Sequence, residues 1–232
     1  MKKIGFIGAF DKTDFIIQIA KILTLAGRRV VVIDSTVNQK AKYVVPAINP
    51  TRTYITEFES IDVAVGFRSF AEVKDYLLLE DYAELEYDIA LIDIDTTNVF
   101  HNFDMADAMI NYFVTSFDLF SLKRGLEILS GLVDPIKMTK VLFSKSMSRE
   151  EDEYLNFLSI DYKIIWDGMK IYFPFEVGDQ SVIIASQRAS KIGLKNLSSG
   201  YKDSLMFIAE QVLENVSSGE LKKIVKIIEK GA

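Results

Sequence analysis

One stretch, Lys3 to Asp34, limits what this chain can fold into more than any other. A short apolar run, Ile4 to Ile7, enters a loop that opens with Gly8. Helix-spaced Ile16, Ile19, Ala20, Leu23 and Ala26 then share one face, and Gly27 stops that helix. The β-branched run Val30 to Ile33 follows and delivers Asp34 at its carboxyl end. Strand, helix and strand in this order read as a βαβ unit. In open parallel sheets ligands sit beyond the carboxyl ends of the strands, so Gly8 to Thr13 and Asp34 lie where a ligand is expected.

The rest of the chain continues the alternation. Asn38 to Thr53 is the least patterned part, with Pro46 and Pro50 breaking any helix. Tyr54 to Gly66 alternates as an extended segment does, as a hairpin or an edge strand. Ser69, with Glu72 three residues on, opens a helix through a capping box. Tyr87 to Asp95 is a continuous apolar strand ending in Asp93 and Asp95, the composition of a strand covered on both faces. A strand and turn over 107–118, a helix over 119–132 and a strand over 139–144 come next. The acidic run from Arg149 starts an amphipathic helix with a solvated face, and Lys163 to Pro174 carries a further strand in which Trp166 reads equally as core or as partner surface. Helices over 199–216 and 219–230 close the chain. The pattern predicts an α/β fold: a single doubly wound, mostly parallel sheet flanked by helices, in one domain spanning 1–232.

Composition removes several function classes. With 232 residues, 49% of them hydrophobic, there is ample material for one core. A net charge of −6 argues against general nucleic-acid binding. The absence of cysteine excludes disulfides and thiolate metal sites. The one histidine, His101, reads as a loop residue rather than a ligand. Met1-Lys2-Lys3 imitates a signal peptide, but Asp11 and Lys12 interrupt the apolar run too early, and no stretch approaches the ~18 apolar residues of a membrane span. A cytoplasmic protein is expected.

From Lys12 to Asp34, the helix length, the terminal glycine and the Val-x-x-Ile-Asp ending resemble the MinD/ParA family of deviant Walker A ATPases. The Tyr-Asp-x-x-x-x-Asp run ending at Asp93 looks like that family's Walker B strand, and the order of elements is similar over almost the whole chain. The resemblance implies a P-loop NTPase-type fold, Asp93 on the magnesium side, Asp34 as the aspartate that helps place magnesium and water, and face-to-face dimers. The phosphate loop departs from the family. A phosphate cradle needs glycine directly before Lys-Thr and again five residues earlier, because its backbone N–H groups must turn inward; Asp11 and Phe6 stand there. Ile7 occupies the place of the signature lysine, and Ser144 that of the asparagine that contacts adenine.

Two readings of Asp11-Lys12-Thr13 compete. In one, Lys12 is a phosphate ligand and Thr13 a magnesium ligand; in the other, Asp11 is an ordinary N-cap with Asp14 in the first helical turn. The second is preferred, because Asp11 would consume N–H groups that an anion needs free. The expected function is therefore a pseudo-ATPase acting as a positioning or assembly scaffold, for example for pilus or secretion machinery, similar to TadZ/CpaE-like proteins. Gly8, Asp11, Lys12, Thr13, Asp34, Asp93 and Ser144 then form a vestigial nucleotide site, with no catalytic residue, metal or cofactor expected. The alternative is an atypical ATPase that binds Mg-ATP, with Lys12, Asp34 and Asp93 catalytic and magnesium on Thr13 and Asp93. Protein partners and a homodimer are expected, with Phe10 either a contact across the dimer or a plug in the pocket. The tail, with Leu221, Ile224, Val225 and Ile228 on one stripe and Lys222, Lys223, Lys226 and Lys230 around the other side, resembles the membrane helix of MinD-type proteins. Core or partner packing is preferred over peripheral membrane contact, because so short a helix binds a bilayer marginally.

Overall fold

The computed structural model describes residues 1–48, 50–80, 83–144, 149–174 and 176–231. The chain runs β1 (Lys2–Ile7), α1 (Thr13–Leu25), β2 (Val30–Asp34), α2 (Ala41–Val44), β3 (Tyr54–Phe58), β4 (Ile61–Val65) and α3 (Phe70–Tyr76). It continues through β5 (Ile89–Ile94), α4 (Thr97–Asn102), β6 (Ile110–Ser116), α5 (Leu119–Glu127), β7 (Ile136–Ser144) and α6 (Arg149–Leu158). Strand β8 (Ile164–Pro174) and helices α7 (Val177–Arg188), α8 (Ser199–Leu213) and α9 (Ser218–Glu229) complete it.

The strands form one eight-stranded sheet in the order β3-β4-β2-β5-β1-β6-β7-β8. Among the described residues only β3 runs antiparallel, closing the hairpin with β4 at the sheet edge; the other pairings are parallel. The doubly wound, mostly parallel sheet is thus observed. Alternate residues of the central strands feed two cores, as a sheet covered on both faces requires. Ile4 and Phe6 of β1 join α1, α8 and α9 on one side, while Ile7 joins α4 and α5 on the other. Helix α1 is buried from Phe15 to Leu23, because β2, β5, α8 and α9 surround it. Its backbone leaves through Gly27 at φ +81°, a left-handed conformation that glycine adopts without Cβ strain.

Several elements differ from expectation. The N-cap of α1 is Lys12, not Asp11: the Asp11 carboxylate accepts only the Thr13 N–H, at 3.3 Å, and Lys40 draws its other oxygen away. His101 belongs to the last turn of α4 rather than to a loop. Helix α8 stops at Leu213 where Glu214 turns to φ 34°. Helix α7 has no helix-spaced apolar stripe, since Val182, Ile183 and Ile184 are consecutive, and it was not legible. At α3, Ser69 accepts the Glu72 N–H as expected, but the Glu72 carboxylate reaches back to the Arg68 N–H. Trp166 is part of the fold, half-buried on the ring edge of Phe113 with its indole N–H donated to Ser159 Oγ.

Candidate functional site

The β1–α1 loop is fixed from below. Gly8 has φ +150°, and a Cβ there would lie 2.1 Å from the Val114 carbonyl oxygen of β6. Its N–H is donated to Ile94 O of β5 at 3.1 Å. The side chain of Lys12 turns back under this loop, donates to Gly8 O at 2.8 Å and stands 2.6 Å from Asp93 Oδ1. Lys12 is 3% exposed and Asp93 2%. Burial pushes the Asp93 carboxyl up to about 7 against the pull of Lys12, and nearby Asp34 adds to the rise.

Asp34 and Asp93 are register partners on adjacent β2 and β5. Asp34 is spent on its own loop: Oδ1 accepts the N–H and hydroxyl of Thr36, and Oδ2 accepts the Ala41 N–H that opens α2. Asp95 accepts the Val37 N–H across the same loop, and burial raises its pKa against that bond. Lys40, which sequence reasoning missed, lies 2.5 Å from both Asp11 and Asp14. Burial lowers its affinity for a proton, but the two carboxylates outweigh that and hold Lys40 above the usual lysine range. Nothing local in the sequence marks Lys40, since it stands 29 residues from Asp11.

A cleft of about 450 Å³ remains over the loop, lined by Gly8, Asp11, Lys12, Thr13, Asp93 and Lys40 among others. Five of the expected site residues therefore converge, with Asp34 directly behind them. Ser144 does not join them. At the end of β7 it is Phe143 that faces inward, its ring stacked on Phe173 at 4.8 Å and covered by Phe10 at 4.7 Å. A larger cavity, about 750 Å³, opens instead near the amino ends of β6 and β7 and touches none of the expected site residues. Among the described residues no cluster of His, Cys, Asp and Glu could hold a metal ion, and no helix is long and apolar enough to cross a membrane.

A mostly parallel eight-stranded sheet, with a tight loop between the central strand and a buried helix and with aspartates at the ends of neighbouring strands, is the fold of MinD/ParA-type P-loop ATPases. The chain is similar to a putative plasmid partition protein from Borrelia burgdorferi B31 bound to AMPPNP, with a TM-score of 0.60, 11% identity, and 93% of this chain and 99% of that chain covered. It is also similar to MinD in the MinC:MinD cell division complex of Aquifex aeolicus (TM-score 0.57, 12% identity, 94% and 98% covered). A third is a McdA variant from Cyanothece in complex with ATP (TM-score 0.55, 12% identity, 94% and 99% covered). No family model matches the sequence, and no curated protein matches it significantly.

Proposed function

We propose that this chain is a non-catalytic protein of the MinD/ParA fold, a pseudo-ATPase that serves as a positioning or assembly scaffold. The observation that carries this reading is the inward-turned Lys12, held between Gly8 O and Asp93. A magnesium triphosphate needs that ammonium facing the phosphates and the loop N–H groups free. Here the Gly8 N–H is given to the sheet, the Thr13 N–H to Asp11, and the Asp11 carboxylate stands at the rim where a polyanion would sit. These three features argue against Mg-ATP as a ligand of this loop.

A scaffold works through surfaces. The carboxyl end of the sheet exposes Tyr43 (78%), Leu119 and Phe120 (70%), side chains suited to a protein partner or a second copy across this face. The structural relative in complex with MinC supports a protein partner, and pilus or secretion machinery is the analogy we carry forward for what is positioned. Isothermal titration with Mg-ATP followed by a phosphate-release assay tests the proposal. No binding heat and no phosphate release are expected. Saturable binding with turnover that Asp93→Asn abolishes overturns it in favour of an ATPase using Lys12, Thr13, Asp34 and Asp93.

A further inference from the structure

Beside the loop cleft, between the end of β7 and helix α7, lies a second cavity of about 350 Å³. Its apolar lining includes Phe10, Phe15, Phe143, Ile183 and Tyr201, and Phe15 and Phe143 belong to an aromatic group whose ring centroids are 5.4 Å apart. Its charged lining is Asp11, Asp14, Glu176 and Asp179 against the single ammonium of Lys40. Asp179 spends its oxygens on the N–H and hydroxyl of Ser198, and Asp14 spends one on Gln187. Lys40 pairs with both Asp11 and Asp14 and offsets one of these charges, whereas the hydrogen bonds to Asp179 satisfy it without cancelling its charge, and the lining stays net negative.

The second observation is Tyr201. It is 3% exposed, it lines the cavity, and its hydroxyl makes no hydrogen bond to any described residue. Burial, and then the carboxylates of Asp14, Asp179 and Asp11, push that phenol well above the usual tyrosine range. Negative potential therefore converges on a hydroxyl in the cavity wall that has acceptor capacity to spare. A hydroxyl that faces a cavity without a protein partner is left to water or to a ligand, and the carboxylates around this one favour a ligand that supplies a positively charged donor.

We propose that this cavity is a binding site for a guanidinium group on an apolar stem. A guanidinium is flat, stacks on aromatic faces, donates several N–H bonds in a fork and keeps its charge at any working pH. It matches aromatic walls, an acidic rim and an unpaired phenol oxygen together, as neither a phosphate ester nor a neutral base does. The volume is at the lower end of ligand pockets, which suits one side chain or a small amine. The inference rests on the non-catalytic reading, because the cavity shares Phe10, Asp11 and Lys40 with the loop cleft.

Calorimetric titration of the full chain with N-acetyl-arginine amide, agmatine, N-acetyl-citrulline amide and adenosine tests it. Binding of the two guanidinium probes, none of the isosteric citrulline probe, and a roughly tenfold loss in Tyr201→Phe are expected, since a hydrogen bond to a charged group is removed. Glu176→Gln, at an exposed rim position, should weaken binding in the same direction and lessen its salt dependence. Agmatine binding tighter than the arginine amide identifies a free small molecule as the source, and the reverse a partner's arginine; either result supports the site. Equal binding of arginine and citrulline probes, binding unchanged in both variants, tighter binding of adenosine, or no binding at about 10 mM to folded protein overturns it. Failure of these probes in a protein that also ignores Mg-ATP sinks this inference alone, whereas ATP turnover sinks the proposed function.

Discussion

The ammonium of Lys12 and the carboxylate of Asp93 stand 2.6 Å apart, both withdrawn from water, beneath the loop that joins β1 to α1. A buried pair of this kind is expensive to break and cheap to replace as a whole. Lys12→Met should cost about 3–5 kcal/mol at pH 8, because it leaves Asp93 buried without a counter-charge. The double change Lys12→Met with Asp93→Asn should return to within about 1 kcal/mol of the parent. Urea unfolding of the four proteins in the cycle measures this, and a single-variant loss no larger than the double's would show that the pair contributes no coupling.

The same pair sets a pH dependence. Asp93 holds its proton up to about pH 7 in the folded chain, whereas the unfolded chain releases it near 3.8. The folded state therefore binds more protons across that window. The stability this group contributes is fully present below about pH 3.8 and is lost as pH rises through about 7. The stability of the parent relative to the double variant should fall between those limits and level off above them. A flat difference from pH 4 to 8 would contradict the raised Asp93.

Gly8 is the loop residue least open to change. Its φ of +150° and the 2.1 Å approach of a Cβ to the Val114 carbonyl make any side chain both strained and overpacked. Gly8→Ala should cost about 3 kcal/mol or more, read as a lowered denaturation midpoint at unchanged slope.

The apolar stripe of α9 is already used. Leu221, Val225 and Ile228 are buried, Ser217 and Glu220 close a full capping box at its start, and Lys222, Lys223, Lys226 and Lys230 face outward. Leu221→Ala should cost about 2–5 kcal/mol. Replacing the four lysines by glutamine should leave stability within about 0.5 kcal/mol. If a folded parent co-sediments with anionic vesicles and that quadruple variant does not, the outward face binds membrane after all.

Self-association through the carboxyl face is the remaining expectation. Phe10, one candidate contact, is partly buried on Phe143 and acts first as a cover for the aromatic cavity. Phe120 and Tyr43 are the better probes, being largely exposed. Phe120→Asp with Tyr43→Asp should shift sedimentation toward the monomer without lowering the unfolding midpoint. A parent that is monomeric at high concentration would remove the dimer.

The sheet was legible because its information is local: the β-branched run Val30–Ile33, the apolar run Ile89–Ile94, helix spacing through α1, glycine at position 27 and the alternation of the extended segment at Tyr54–Val65 each declare their own backbone. The convergence of Gly8, Lys12, Thr13, Asp34 and Asp93 followed from topology, since parallel strands deliver their carboxyl ends to one side. What the side chains do there did not follow. Whether Lys12 faces a ligand or Asp93, whether Asp11 caps a helix or binds Lys40, and whether Phe10 projects outward or lies on Phe143 depend on groups 29 to 133 residues apart. The unbonded Tyr201 hydroxyl had no sequence signal at all, because it gains its carboxylate neighbours only when α8 docks beside α1 and α7. Backbone conformation is written in short-range periodicity; the charge state and exposure of a side chain are set by burial and by neighbours that only the folded chain supplies.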